Sequence, residues 1–142
     1  MKVLVTGVTG QLGYDVVRVL RGRGVETVGA TRAEMPLDDP EKARAFVEAT
    51  RPDAVIHCAA YTAVDKAEDD EDLAAKINID GPCNLAKSGA KVIHISTDYV
   101  FDGSGHKPYQ PEDETRPVSV YGRTKLAGEQ EVLKYAEPDN KT

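Results

Sequence analysis

The sequence carries only two cysteines, Cys58 and Cys83. They are too few for a disulfide framework and lack the spacing of a metal-ligating set. No apolar run approaches the length of a bilayer span. The amino terminus goes straight into Lys2-Val3-Leu4-Val5, which reads as a strand and not as a secretory signal. Positive charge is also short, with 18 Lys and Arg against 24 Asp and Glu and a net charge of −6. That balance repels a nucleic-acid duplex or an anionic membrane, and so excludes both as partners. Internal repeats and low-complexity linkers are missing as well. What remains is an ordinary composition, 40% hydrophobic and 30% charged over 142 residues. It fits neither a disordered nor a fibrous chain. The expectation is a single soluble, cytoplasmic domain over 1–142 with a buried core.

Short apolar runs alternate with helical patterns. Lys2–Thr6, Val25–Ala30, Ala54–Cys58 and Lys91–Ser96 read as buried strands rich in Val and Ile. Leu12, Val16, Val19 and Leu20 mark a first helix that ends at Gly22 and Gly24. Asp39 as cap and Pro40 at the first helical position open a second, with Ala43, Phe46 and Val47 inward. A third runs from about Asp70 to Lys87, and Pro82 inside it predicts a kink or an end to its first half. The last spans about Ser119 to Ala136 and is expected to bury Leu126, Val132 and Leu133. Glu34–Leu37 offers one more short strand, 102–117 is a long loop, and 137–142 is a polar tail expected to fray. Strands and helices in this alternation predict an α/β fold, a parallel sheet covered on both faces.

Thr6-Gly7-Val8-Thr9-Gly10-Gln11-Leu12-Gly13 follows the first strand and opens the first helix. In that context Gly7 permits the tight turn, Gly10 lets backbone N–H groups approach a pyrophosphate, and Gly13 lets helix and strand pack closely. A plain turn with glycines at a helix start is the alternative. Strand, turn and helix in register favour a dinucleotide site. At the end of the second strand, Thr31-Arg32 stand where an acidic residue would select NAD, and no carboxylate follows until Glu34. Arg32 and the Thr31 hydroxyl would meet a 2′-phosphate, so NADP(H) is expected, with NADH as the alternative. A solvated surface arginine is the other reading of Arg32.

Ser96-Thr97 closes the fourth strand, and Tyr121-Gly122-Arg123-Thr124-Lys125 begins the last helix. Tyr and Lys four apart share a helix face. An ammonium beside a phenol favours the phenolate and eases proton transfer, and a Thr97 hydroxyl would orient a substrate carbonyl. Such a pair alone is more often a plain helix surface. Its meaning comes from the glycine turn and the strand-terminal Ser-Thr.

Four strings carry a resemblance: Val5 to Gly13; Ala59-Ala60-Tyr61-Thr62-Ala63-Val64-Asp65-Lys66-Ala67-Glu68; Ile95-Ser96-Thr97-Asp98-Tyr99-Val100-Phe101-Asp102-Gly103; and Tyr121 to Glu129. Over essentially its whole length the chain resembles the extended short-chain dehydrogenase/reductases, and within them the dTDP-4-dehydrorhamnose reductase family. The resemblance implies a Rossmann-type, doubly wound parallel sheet in three layers. By it, Gly10, Gln11 and Leu12 would hold the pyrophosphate, and Ala59, Ala60 and Tyr61 would line the nicotinamide-side ribose. Thr97, Tyr121 and Lys125 would be catalytic, and Tyr121 and Lys125 would also meet the cofactor, Lys125 at the ribose hydroxyls. Thr97 and Asp98 would also touch the sugar, and no metal is implied. The implied reaction is hydride delivery from NADPH to the C4 carbonyl of dTDP-4-dehydro-L-rhamnose, Tyr121 giving the proton. Its product would feed cell-surface polysaccharide.

The chain departs from that family in four places. Pro36-Leu37 replaces an Asp-hydrophobic pair near the adenine. The helix ending at Gly89 is about one turn, roughly 3.6 residues, short. His57 stands where Asn is frequent, and the family's C-terminal substrate domain has no counterpart here. From the last departure come three expectations: dinucleotide binding without sugar turnover by this chain alone, the Lys91–Ser96 strand as a sheet edge, and weak stability or self-association through that edge. A homo-oligomer or a missing C-terminal half are the partners implied. A non-catalytic dinucleotide-binding or regulatory module is the rival function. A related epimerase or dehydratase is disfavoured by the Ser96–Gly103 string. Elsewhere plain readings are preferred: His57 and His94 buried and satisfied, His106 solvated, Cys58 a small core residue, and the 68–72 acidic run a helix N-terminus.

Overall fold

The computed structural model describes residues 1–136; the polar tail expected over 137–142 lies outside the described residues. The elements are β1 (Lys2–Thr6), α1 (Gln11–Gly22), β2 (Glu26–Ala30), α2 (Pro40–Thr50), β3 (Ala54–His57), α3 (Val64–Asp69), α4 (Glu71–Ala75), a π-helical turn (Lys76–Asp80), α5 (Gly81–Lys87), β4 (Val92–His94), a 3-10 turn (Asp98–Val100) and α6 (Val120–Tyr135). The four strands are all parallel, in the order β2-β1-β3-β4. From β1 the chain steps outward to β2 and then back across β1 to β3. Crossovers between parallel strands of one sheet follow a right-handed rule, and steps in opposite directions then put α1 and α2 on opposite faces of the sheet. Leu4, Ala30 and Val55 pack with Met35, Ala43, Val47 and Leu85 on the α2 and α5 side. Gly29, alternating with them, faces Val8. The expected doubly wound α/β sheet is therefore present.

Several expectations change in detail. Glu34–Leu37 is no strand. Glu34 takes both the N–H and the hydroxyl of Thr31, at 2.9 and 2.7 Å, and the Met35 N–H donates to the Thr31 carbonyl at 3.0 Å. That turn drops Met35, 2% exposed, into the core. The helix expected over 70–87 is broken where Pro82 predicts it. Pro82 has no N–H to offer the Asn78 carbonyl, and its ring would press on it. The backbone widens into the π turn and restarts with Pro82 in the first turn of α5. The displaced Asn78 carbonyl lies against Gly128 of α6, where a Cβ would come within 2.1 Å of it. Within the acidic run, Asp70 caps α4 through the Leu73 N–H at 3.2 Å. Glu68 belongs to α3 and accepts from the Val120 N–H at 2.8 Å, at the start of α6.

Amphipathic patterning misleads in α1 and α6. Leu12 and Val19 are exposed, and Leu133 is 53% exposed; Leu126 and Val132 are half-buried. The face that α6 buries is Val120, Tyr121, Gly122, Thr124, Lys125 and Gly128. β4 is three residues, not six, and forms one edge of the sheet among the described residues, with Ile93 48% exposed. Along 102–117 there is no regular element, as expected. Phe101 stacks on Tyr109 at 4.2 Å, and Asp102 accepts from the Ser104 N–H and hydroxyl at 2.9 and 2.7 Å. No helix of the described residues is long and apolar enough to cross a membrane.

Candidate active site

A cleft of about 780 Å³ opens at the carboxyl ends of β1, β2 and β3. This is the switch point of the sheet, where strands leave β1 in opposite directions and their helices diverge. Its walls gather Gly7, Gly10, Gln11, Leu12 and Gly13 from the first turn, Thr31 and Arg32 from the end of β2, Ala59 and Ala60 after β3, and Tyr121 and Lys125 from α6. The two ends anticipated from sequence thus share one cavity. Tyr61, Thr97 and Asp98 are not among its lining residues.

Gly7 adopts φ +67°, and a Cβ there would lie 2.7 Å from the Ala59 backbone nitrogen. At Gly13 a Cβ would fall 2.3 Å from the Gly7 carbonyl. The turn is thus in close backbone contact with the segment after β3 on one side and with α1 on the other. Gly10 caps α1 without a side-chain hydrogen bond, and no acidic residue sits in the first turn of the helix. The first-turn N–H groups and the positive end of the helix dipole thus face the cleft unneutralised, an arrangement suited to an anion.

At the β2 end, the Thr31 hydroxyl is held by Glu34, and this pairing with the Thr31 N–H keeps the Glu34 carboxyl below its usual range. The Arg32 guanidinium lies 3.9 Å from the Asp38 carboxylate.

At the other end, Lys125 is 2% exposed, and its ammonium donates to the Ile95 carbonyl at 2.6 Å. Burial pushes the ammonium below its usual range, against the pull of Glu129 one turn on. Glu129 also accepts from the Ser96 hydroxyl. The Tyr121 ring meets Tyr99 edge to face at 5.4 Å. The Thr97 hydroxyl accepts from the Tyr99 N–H at 3.2 Å, capping the 3-10 turn, and contacts Asp98 at 3.3 Å.

Sequence reasoning missed two buried polar residues that shape the site. Asn78, 1% exposed, accepts from the Tyr61 N–H at 2.9 Å, donates to the Tyr61 carbonyl at 3.2 Å, and donates to the Thr124 hydroxyl at 3.1 Å. It ties the segment after β3 to the face of α6 that carries Tyr121 and Lys125. An Asn inside an apolar helical run, four residues before a proline, is the signal that was available. Thr6 accepts from the Ala59 N–H at 3.2 Å and pairs with His57 Nδ1 at 2.8 Å.

His57 is buried as expected, His94 is only half-buried although its ring nitrogens are covered, and neither ring is fully satisfied. Their rings stack at 5.4 Å, while His57 Nε2 and both ring nitrogens of His94 have no partner among the described residues. Burial, with the charge of Lys125 nearby, pushes His57 down to about 3 and His94 to about 4. Cys58 lines the cleft where a core position was expected, and burial pushes its thiol up, which favours the unreactive form. His106 is exposed. Among the described residues no cluster of three or more His, Cys, Asp or Glu could hold a metal ion.

Comparison with known proteins places this geometry. The chain is 46% identical to dTDP-4-dehydrorhamnose reductase of Mycolicibacterium smegmatis over 143 residues, 97% of this chain and 43% of that protein. A dTDP-4-dehydrorhamnose reductase structure from Clostridium acetobutylicum superposes with a TM-score of 0.91 at 44% identity, over 95% of this chain and 50% of the other. One from Bacillus anthracis, in complex with NADP, gives 0.91 at 36%, over 96% and 50%. The chain spans about half the length of the relatives it matches. The model of the RmlD substrate binding domain matches residues 1–139, and the chain belongs to that family.

Proposed function

We propose that the chain binds NADP(H) in this cleft and carries the hydride-transfer side of a cytoplasmic nucleotide-sugar reductase acting on dTDP-4-dehydro-L-rhamnose. The single observation behind this reading is that one cavity joins an uncapped, acid-free helix N-terminus to Tyr121 and Lys125. The residues fit the dinucleotide. A pyrophosphate would meet the first-turn N–H groups at Gly10, Gln11 and Leu12, with Gly7 and Gly13 keeping side chains out of the way. Thr31 and Arg32 would face the adenine-side ribose, and Ala59, Ala60 and the Tyr61 backbone the nicotinamide-side ribose. When bound, the cofactor supplies the hydride.

In this reading the chain's own groups orient the carbonyl and move the proton. Tyr121 gives its hydroxyl proton to the substrate carbonyl oxygen. The Lys125 ammonium, fixed by the Ile95 carbonyl, favours the phenolate left behind. Thr97 and Asp98, at the mouth of the 3-10 turn, would touch the sugar.

The relatives' reductase names and the NADP-bound neighbour support the assignment. Saturable NADPH binding by calorimetry is the first test, and its absence overturns the proposal. For turnover, NADPH oxidation with dTDP-4-dehydro-L-rhamnose is measured for the chain and for the chain joined to a relative's second half. Tyr121→Phe should keep cofactor affinity and remove most of that turnover. A near-parental rate in the variant would remove Tyr121 from its role.

A further inference from the structure

The cofactor end of the cleft holds its cation in a particular way. Of the lining residues, Arg32 and Lys125 are the two cations, and they stand at opposite ends of the site. Arg32 is therefore the group available there to a phosphate on the adenine-side ribose. Its guanidinium is already paired with Asp38 at 3.9 Å, and both residues line the same cavity. The neighbouring hydroxyl of Thr31 is likewise engaged, by Glu34. Both donors at the end of β2 thus answer to carboxylates of the chain itself.

The two partners of the ion pair differ in freedom. Asp38 sits in the Pro36–Asp39 turn, closed by the Asp39 N–H on the Pro36 carbonyl at 3.2 Å. Asp39 then caps α2 through the Lys42 N–H at 3.1 Å. The Asp38 backbone is consequently fixed at a helix entry. Arg32 extends from the strand end on a long, 70% exposed side chain, so on binding it is the arginine that moves.

We infer that Asp38 is a specificity-determining residue of this cleft: its carboxylate competes with the 2′-phosphate of a phosphorylated dinucleotide for Arg32, so that the site admits the unphosphorylated dinucleotide alongside it. The inference rests on the dinucleotide reading above. An exposed pair at this distance is weak and screened by salt, so a phosphate bearing nearly two charges still displaces Asp38. It does so at a discount, because Arg32 is shared and the displaced carboxylate remains nearby as a like charge. A dinucleotide with a free 2′-hydroxyl meets no such opposition.

Calorimetric titration with NADPH and with NADH, on the parent chain and on Asp38→Asn, Asp38→Glu, Arg32→Ala and the Asp38→Asn/Arg32→Ala double variant, tests this. Asp38→Asn keeps the side-chain volume, and its melting curve reports whether the fold is intact. It should tighten NADPH about three- to tenfold and change NADH less than twofold. Asp38→Glu should stay near the parent ratio. Without Arg32 most of the gain should vanish, and raising the salt should shrink it. Equal gains for both dinucleotides, or no gain for NADPH, overturn the role of Asp38 while leaving the cleft a dinucleotide site. Failure of the parent and every variant to bind either dinucleotide overturns the cofactor reading itself, and this inference with it.

Discussion

The Lys125 ammonium is anchored 2.6 Å from the carbonyl oxygen of Ile95, thirty residues upstream. That bond joins the end of β4 to α6, and the Ser96 hydroxyl on Glu129 doubles it. Lys125→Met keeps most of the volume but leaves the Ile95 carbonyl without its donor. A loss of roughly 1–3 kcal/mol in stability is expected from the unpaired group, with at least about a tenfold loss in NADPH affinity if Lys125 also meets ribose hydroxyls. Urea unfolding and calorimetry measure the two separately. A variant that loses stability but binds NADPH as the parent does would make Lys125 a fastener only.

Asn78→Ala removes three hydrogen bonds at once, two to Tyr61 and one to Thr124. Two of the abandoned groups belong to the backbone in a half-buried place, so the expected cost is about 2–4 kcal/mol. Asn78→Asp keeps the acceptor for the Tyr61 N–H but introduces a buried charge, and should be no better. Denaturant midpoints for both variants check this; a change under about 0.5 kcal/mol for Asn78→Ala would contradict the bridging role.

Gly13→Ala places a methyl 2.3 Å from the Gly7 carbonyl. The neighbour is backbone, so the turn itself must shift. NADPH affinity should fall by about tenfold or more, and a melting curve should show a lower Tm. Gly22→Ala is the control, since nothing lies within 4 Å of a Cβ there.

Acid should weaken this fold early. His57 and His94 are held down to about 3 and about 4 in the folded chain, first by burial and then by charge nearby, against about 6.5 in the unfolded chain. Below about pH 6.5 the unfolded chain binds protons that the folded one does not. Stability is therefore fully present above that pH and falls as pH drops toward 4 and then 3, by up to about 1.4 kcal/mol per pH unit for each histidine. His57→Asn should flatten part of this slope while leaving the plateau near neutral pH. Urea midpoints between pH 7 and pH 4 provide the measurement. A parent slope unchanged by the substitution would show that carboxylates alone set the acid response.

The architecture was legible because its signals are local. Val-rich runs closed by turn residues gave β1 and β3 to within a residue, and Asp39-Pro40 marked the start of α2. The cleft's two ends were legible for a different reason: a glycine turn in which Gly7 and Gly13 leave no room for a Cβ, and a Tyr and Lys one helical turn apart. What stayed hidden depends on partners distant in sequence. Asn78 and Thr6 look like polar interruptions until Tyr61, Thr124 and His57 are brought to them. Met35 reads as part of an extended segment until Glu34 folds back onto Thr31. In α6 the buried face carries the candidate catalytic pair, so the apolar stripe alone pointed to Leu133, which lies in solvent.

The strand order also sets a schedule for the growing chain. β1 lies between β2 and β3, and its pairing with β3 joins Val3 to Ala54 and Thr6 to His57. During synthesis at about 5–20 residues per second, roughly 3–10 s separate the appearance of β1 from that of its second neighbour. Through that interval Val3, Leu4 and Val5 can be covered from one side only. Parallel pairing across such separations closes slowly, so the nascent chain passes through a half-built sheet whose most deeply buried strand is open to other chains. The same central position that lets β1 present its glycine turn to the cleft makes the early chain a client for whatever shields exposed strands at the ribosome.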